Sequence, residues 1–184
     1  MIRKILFLFA LSFVLFSCGD DNDDRTVLNY DGNNIDAPAL FAGDYTAIVR
    51  FPASDLSNLV DGQLEEVDFW IADIPSTLTL QVFGEGDGNS PGSLLHSENI
   101  ILRTEANDWN NISLNTPVNI TGEELWVGFE FRLDDFARVI GCDAGPAIEN
   151  GDLMNDESGN WTTLRNYSNG EVDINWNIRA YVRP

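Results

Sequence analysis

The groups with the most chemical potential in this chain are its acids: 30 Asp and Glu stand against 10 Lys and Arg, one His and two Cys. Two oxygen-rich stretches concentrate them. One is Glu85-Gly86-Asp87-Gly88-Asn89; the other gathers Asp134, Asp135, Asp143 and Asp152, with Asp156 just beyond. Calcium takes about six to eight oxygen ligands from carboxylates, amides and backbone carbonyls. Asp134, Asp135, Asp143 and Asp152 are therefore the candidate metal ligands, and calcium is the candidate cofactor. The competing explanation is turn chemistry, in which Asp, Asn and Gly satisfy local backbone groups and admit positive φ. Neither stretch has the ligand spacing of an EF-hand loop.

Other chemistries are poorly served. A Ser-His-Asp triad has only His96 to use, within Leu94-Leu95-His96-Ser97-Glu98, and no Gly-x-Ser-x-Gly elbow is present. Carboxylate pairs of the kind glycoside hydrolysis needs occur at some separation in any chain this acidic, so they single out nothing. The expectation is a protein that is not an enzyme, with a carbohydrate-active enzyme as the remotest alternative.

Five tryptophans, Trp70, Trp109, Trp126, Trp161 and Trp176, form the remaining constellation. Trp176 alternates in phase with Ile174, Ile178 and Val182 and is expected in the core. Trp70 and Trp126 fall on the faces opposite their neighbouring Val and Phe series, where an aromatic ring can stack on a sugar. They are the candidate ligand-binding residues; burial beneath a covering loop is the alternative.

The N-terminus reads as an export signal. Arg3 and Lys4 precede an apolar run from Ile5 to Phe16 that is too short to span a bilayer and is followed at once by acids. The run closes as Leu15-Phe16-Ser17-Cys18, which resembles the lipobox of bacterial lipoproteins, with Phe16 bulkier than the strictest form of that pattern. Residues 1–17 are thus the expected lipoprotein signal peptide and Cys18 the expected lipidation site, with a membrane leaflet as partner. The run Asp20, Asp21, Asp23 and Asp24 resembles the acidic tag of outer-membrane surface lipoproteins and is also what a solvated tether looks like. Residues 18–35 are assigned to that tether, residues 36–184 to one domain, and the protein to the cell surface.

The formal net charge of −20 and the scattered arginines argue against nucleic-acid binding, which needs clustered cations. With Cys18 carrying lipid, Cys142 has no partner in the chain. No disulfide framework or zinc spacing is available, so a packed core must supply stability.

The elements that would position these groups are strands. Val67, Phe69 and Ile71 share one side of an extended chain; Leu78, Leu80 and Val82 repeat the period, as do Leu125, Val127, Phe129 and Phe131, and Ile174 to Val182. Turn-rich stretches separate them and no helical period is evident, so the expected fold is all-β, a two-sheet antiparallel sandwich. Its longest terminal segments, Asp44 to Phe51 and Ile174 to Val182, are expected to pair. Asp55 to Leu59 is expected to form a helical turn capped by Ser54 or Asp55.

The phrases Trp109-Asn110, Pro117-Val118-Asn119-Ile120, Glu124-Leu125-Trp126-Val127-Gly128, Asp143-Ala144-Gly145-Pro146-Ala147 and Trp176-Asn177-Ile178-Arg179-Ala180 resemble β-sandwich modules of bacterial surface proteins, of which gingipain-type adhesin modules are the nearest group. That resemblance implies a jelly-roll-like fold, calcium binding and adhesion to host proteins or glycans. The leading expectation is a surface lipoprotein whose sandwich binds a glycan or protein ligand; next comes an accessory lipoprotein of an outer-membrane assembly.

Overall fold

Strict alternation of apolar and polar residues is what makes this chain a sandwich, because each strand can bury only one of its faces. The computed structural model describes residues 24–88, 90–156 and 158–184. The signal peptide and Cys18 lie outside them. The strands are β1 (Thr26–Asn29), β2 (Ala39–Leu40), β3 (Gly43–Phe51), β4 (Gln63–Ile71), β5 (Thr77–Phe83), β6 (Leu94–Asn99), β7 (Asp108–Asn119), β8 (Leu125–Leu133), β9 (Ala137–Arg138), β10 (Leu153–Asn155), β11 (Trp161–Thr163) and β12 (Ile178–Arg183). Two single-turn α-helices, α1 (Ala53–Leu56) and α2 (Leu164–Tyr167), and a 3-10 turn at Ile101–Arg103 complete the elements of the described residues. No helix among the described residues is long and apolar enough to cross a membrane.

One sheet has the order β1-β12-β4-β7 and the other β11-β10-β3-β8-β5-β6; β2 and β9 form a separate ribbon. The pairings are antiparallel. Between the sheets lie Val67, Phe69 and Ile71 of β4, Leu78, Leu80 and Val82 of β5, Val127, Phe129 and Phe131 of β8, and Ile178, Ala180 and Val182 of β12. Phe69 and Phe129 meet across the layer with ring centroids 4.2 Å apart. Leu64 and Val67 both face inward despite being three residues apart, because the β4–β7 ladder shifts register between Leu64 and Glu66. Trp176 is buried as expected, its indole N–H donating to Leu153 O at 2.9 Å.

The expected pairing of the two terminal segments is overturned. β3 lies between β8 and β10 in the larger sheet, whereas β12 lies between β1 and β4 in the smaller. Both segments bury alternate residues, and alternation states only that a strand has a core face, not which sheet it joins. The true partner of β12 is β1, in register Thr26 with Val182 through Asn29 with Arg179. The domain therefore begins within the stretch assigned to the tether. Four short residues flanked by Asp and Asn carry too little periodicity to be recognised, yet Leu28 packs on the core and the strand covers an otherwise open sheet edge. The helical turn also starts earlier: Pro52 stands at its N-cap, without a side-chain cap bond, and Ser54 and Asp55 lie inside it.

The registers set two poles. Thr26, Val182, Gln63 and Asn119 cluster where the chain enters the domain. The loops at 72–76, 100–107 and 134–136 close the far pole.

Candidate binding face

The outer face of the six-stranded sheet carries a second apolar layer. In register across it, Arg50 of β3 stands opposite Trp126 of β8, Ile48 lies between Gly128 and Leu153, and Asn155 pairs with Trp161. Ile48 and Trp126 are completely buried, although they point away from the space between the sheets. Gly128 permits this: a Cβ at that position would collide with the Ala47 carbonyl and with Ile48.

Trp126 is covered because of Glu124, two residues before it on the same side of the chain. Glu124 Oε1 accepts the Trp126 indole N–H at 2.9 Å and the Gly86 backbone N–H at 2.8 Å. Its Oε2 accepts Arg50 Nε–H at 2.9 Å, with the second Arg50 nitrogen at 2.7 Å. Arg50 also donates to Gly88 O at 3.0 Å, and its guanidinium carbon lies 5.4 Å from the Trp126 ring centre. Burial pushes the Glu124 pKa up, but the hydrogen bonds from Gly86 and Trp126, together with the Arg50 guanidinium, outweigh it and hold the carboxyl below the usual range. The carboxylate thus fixes the turn after β5 over the indole with charge-assisted bonds.

Trp161, on β11, packs edge-on against Trp126, centroids 6.1 Å apart at 67°. It is half-buried and lines a hollow of about 280 Å³ together with Arg50, Asn150, Leu153, Thr163 and Asn166. A second hollow of about 240 Å³, lined by Asp44, Thr46, Glu130, Asn155 and Asp156, lies further along β3 on the same face. A larger cleft of about 490 Å³ opens near the chain-entry pole, over Leu56, Val118, Ile120 and Leu125. Its acids, Glu85, Glu123 and Glu124, have no histidine or cysteine among the lining residues.

The candidate residues taken from the sequence fare differently. Trp126 does lie on an outer sheet face, but it is fully buried and so cannot itself be the exposed platform; alternation gives the face of a residue, not what lies over it. Trp70 is half-buried on the outer face of the four-stranded sheet, opposite Trp109. Gly141 packs against its ring so closely that a Cβ there would lie 2.7 Å from Cε3. The neighbouring Trp109 is capped by the Arg179 guanidinium at 4.1 Å, itself held by Asp31 at 2.8 Å.

The four proposed metal ligands are not drawn together: among the described residues, no three or more His, Cys, Asp or Glu side chains form a cation-sized group. Asp134 and Asp135 are exposed in the turn before β9, where Asp135 accepts the Phe136 N–H at 2.7 Å. Asp143 is buried and accepts four hydrogen bonds: from Gly32 N, Gly145 N, Asn175 N and Asn175 Nδ2, all at 2.8–3.0 Å. Burial pushes its pKa up, but the bonds from Asn175, Gly145 and Gly32 prevail and lower it. Asp152 is buried with its carboxyl on Arg165 N at 3.1 Å, and desolvation raises its pKa. In the turn at 85–89, Asp87 accepts the Ser90 N–H and O–H; Asn89 lies outside the described residues.

His96 is buried on β6 with Nε2 3.4 Å from Glu98 Oε2, too poorly directed to be a hydrogen bond. Cys142 is buried and reduced, its thiol pushed up to about 12 by desolvation and by the charges of Asp36 and Asp143. Three residues of the outer face, Arg50, Glu124 and Trp161, escape the sequence. Only Glu124 left a trace there: a carboxylate two residues before a tryptophan in a strand lies on the same side as its indole.

No protein-family model matches the chain, and no curated protein matches it.

Proposed function

We propose that this protein is a surface-displayed lipoprotein whose sandwich is a non-catalytic binding module, holding a glycan or protein ligand on the outer face of its larger sheet. The observation that carries this is Trp161, a half-buried ring beside a hollow, backed by the rigid Trp126-Glu124-Arg50 assembly. Binding aromatics need this kind of support, because a ring already fixed loses little freedom when a ligand stacks on it. Display at the surface rests on Leu15-Phe16-Ser17-Cys18 and the acidic residues after it. The adhesin-like role rests on the resemblance of the sequence phrases alone. Calcium belongs to the same proposal, with Asp134 and Asp135 as the exposed carboxylates that would meet it.

A glycan array probed with the full chain carrying Cys18→Ser tests the binding role, with array signal expected for the parent and lost on Trp161→Ala. Mass spectrometry of the native protein, with diacylglycerol on Cys18 as the expected result, tests the anchor. The second reading, an accessory component of an envelope assembly, is favoured by one observation. Phe41 and Phe136 expose their rings together near the far pole, 5.5 Å apart, as a protein contact would use them. Copurification with an envelope complex that is lost on Phe41→Ser would favour that reading.

A further inference from the structure

We infer that the ligand is a neutral, hydroxyl-rich polysaccharide lying along β3 across the two hollows of the outer face, with Trp161 as its stacking platform. The inference rests on the binding-module reading above and narrows it. Charge excludes the anionic glycans. Arg50, the cation in the first hollow, is charge-paired with Glu124 and also donates to Gly88 O. Arg132, the other cation on this face, lies within 3.3 Å of Asp44 and 3.5 Å of Asp134. The carboxylates lining the second hollow are Asp44, Glu130 and Asp156, with no Lys, Arg or His among the described residues that line it. On a chain of net charge −20, a polyanion meets repulsion at long range and, among the described residues lining the two hollows, no Lys or Arg but the already paired Arg50.

Chemistry and shape supply the rest. Asn150, Thr163 and Asn166 border Trp161 with amides and a hydroxyl, groups that both donate and accept, as a neutral sugar's hydroxyls require. The indole offers the apolar surface that a sugar ring's C–H face covers. The two hollows flank the Asn155–Trp161 rung, and Arg50 lies six residues from Asp44 along β3, about 20 Å in an extended strand. A ligand reaching both is a chain and not a single sugar. A protein ligand is less well matched here, because none of the large apolar side chains exposed among the described residues, Leu102, Phe41 and Phe136 included, lines either hollow.

The test is affinity electrophoresis of the full chain with Cys18→Ser through gels containing neutral polymers (laminarin, galactomannan, xyloglucan, soluble starch) or anionic ones (alginate, polygalacturonate, heparin), at physiological salt. Retardation is expected in at least one neutral gel and in no anionic gel. Oligosaccharides of that polymer should compete better as they lengthen. Trp161→Ala should weaken retardation about tenfold or more, which corresponds to about 1.4 kcal/mol. Asn166→Ala, at an exposed rim position that leaves the fold intact, should weaken it by a smaller factor, and Trp70→Ala, on the other sheet, should leave it unchanged. Retention in an anionic gel that Trp161→Ala abolishes would overturn the neutral-ligand inference and keep the binding face. Neutral-polymer binding indifferent to both Trp161→Ala and Asn166→Ala would overturn the placement on this face. Absence of retardation in every gel would overturn the polysaccharide and leave the binding-module reading to a protein ligand.

Discussion

Glu124 and Trp126 are joined by a hydrogen bond of 2.9 Å from the indole N–H to Oε1, made on the outside of the sandwich and sealed from water. The same carboxylate also takes Gly86 N–H and the Arg50 guanidinium, so one side chain closes the turn after β5 onto the sheet.

Glu124→Gln should cost about 2 kcal/mol in urea denaturation, since it replaces charge-assisted bonds with neutral ones and leaves Arg50 without its counter-ion. Because the folded pKa is depressed, the stabilisation is present above the ordinary glutamate pKa and disappears as pH falls through the lower folded value. The gap between parent and variant should therefore narrow in acid; a gap constant with pH would refute the electrostatic account.

Asp152 has the opposite sign. Desolvation raises its folded pKa, so the carboxylate costs stability in full above that raised value, and the cost shrinks as pH falls through it and is gone below the ordinary aspartate pKa. Asp152→Asn keeps an acceptor for Arg165 N–H and should stabilise the protein by about 1 kcal/mol near neutral pH, with the advantage fading in acid. Thermal melts across a pH series measure this.

Asp143 ties three chain segments together through its four accepted bonds. Asp143→Ala should lower stability by about 2–3 kcal/mol by leaving buried donors unpaired. Millimolar calcium should leave the parent's stability unchanged; calcium stabilisation of the parent that Asp143→Ala abolishes would show that a cation, and not the backbone, is what this carboxylate serves.

Cys142 should resist iodoacetamide in the native protein for hours at neutral pH and react promptly in urea, because its thiol is both buried and poorly ionised. Rapid native labelling, read by mass, would contradict that placement.

A chain starting at Tyr30 lacks β1 and should melt at a lower temperature and self-associate in sedimentation, since β12 is then an open edge. Unchanged melting and a monomer would return residues 26–29 to the tether.

How far the sequence discloses this molecule depends on element length. β4, β5, β8 and β12 were legible because each repeats its apolar period at least three times, which only a strand with one buried face requires. β1, β2, β9 and β10, two to four residues each, are too short to show a period and are held by neighbours distant in sequence. Sheet membership was hidden for the same reason that β3 and β12 were mispaired: inward residues of both sheets look alike. On the outer face, Trp126 was placed correctly, but its cover comes from a turn 38 residues away, through Glu124 and Gly86. Trp161 was left without a face, because a three-residue strand beside a polar turn gives an aromatic no phase.

The pairing of β1 with β12 also has a mechanical meaning. The chain enters at Thr26, β1 runs away from that pole, and its four rungs to β12 lie across the strand axis. A pull on the N-terminus along that axis, resisted by the rest of the domain, loads all four rungs together in shear and does not peel them one by one. The ladder then fails only when every bond yields at once.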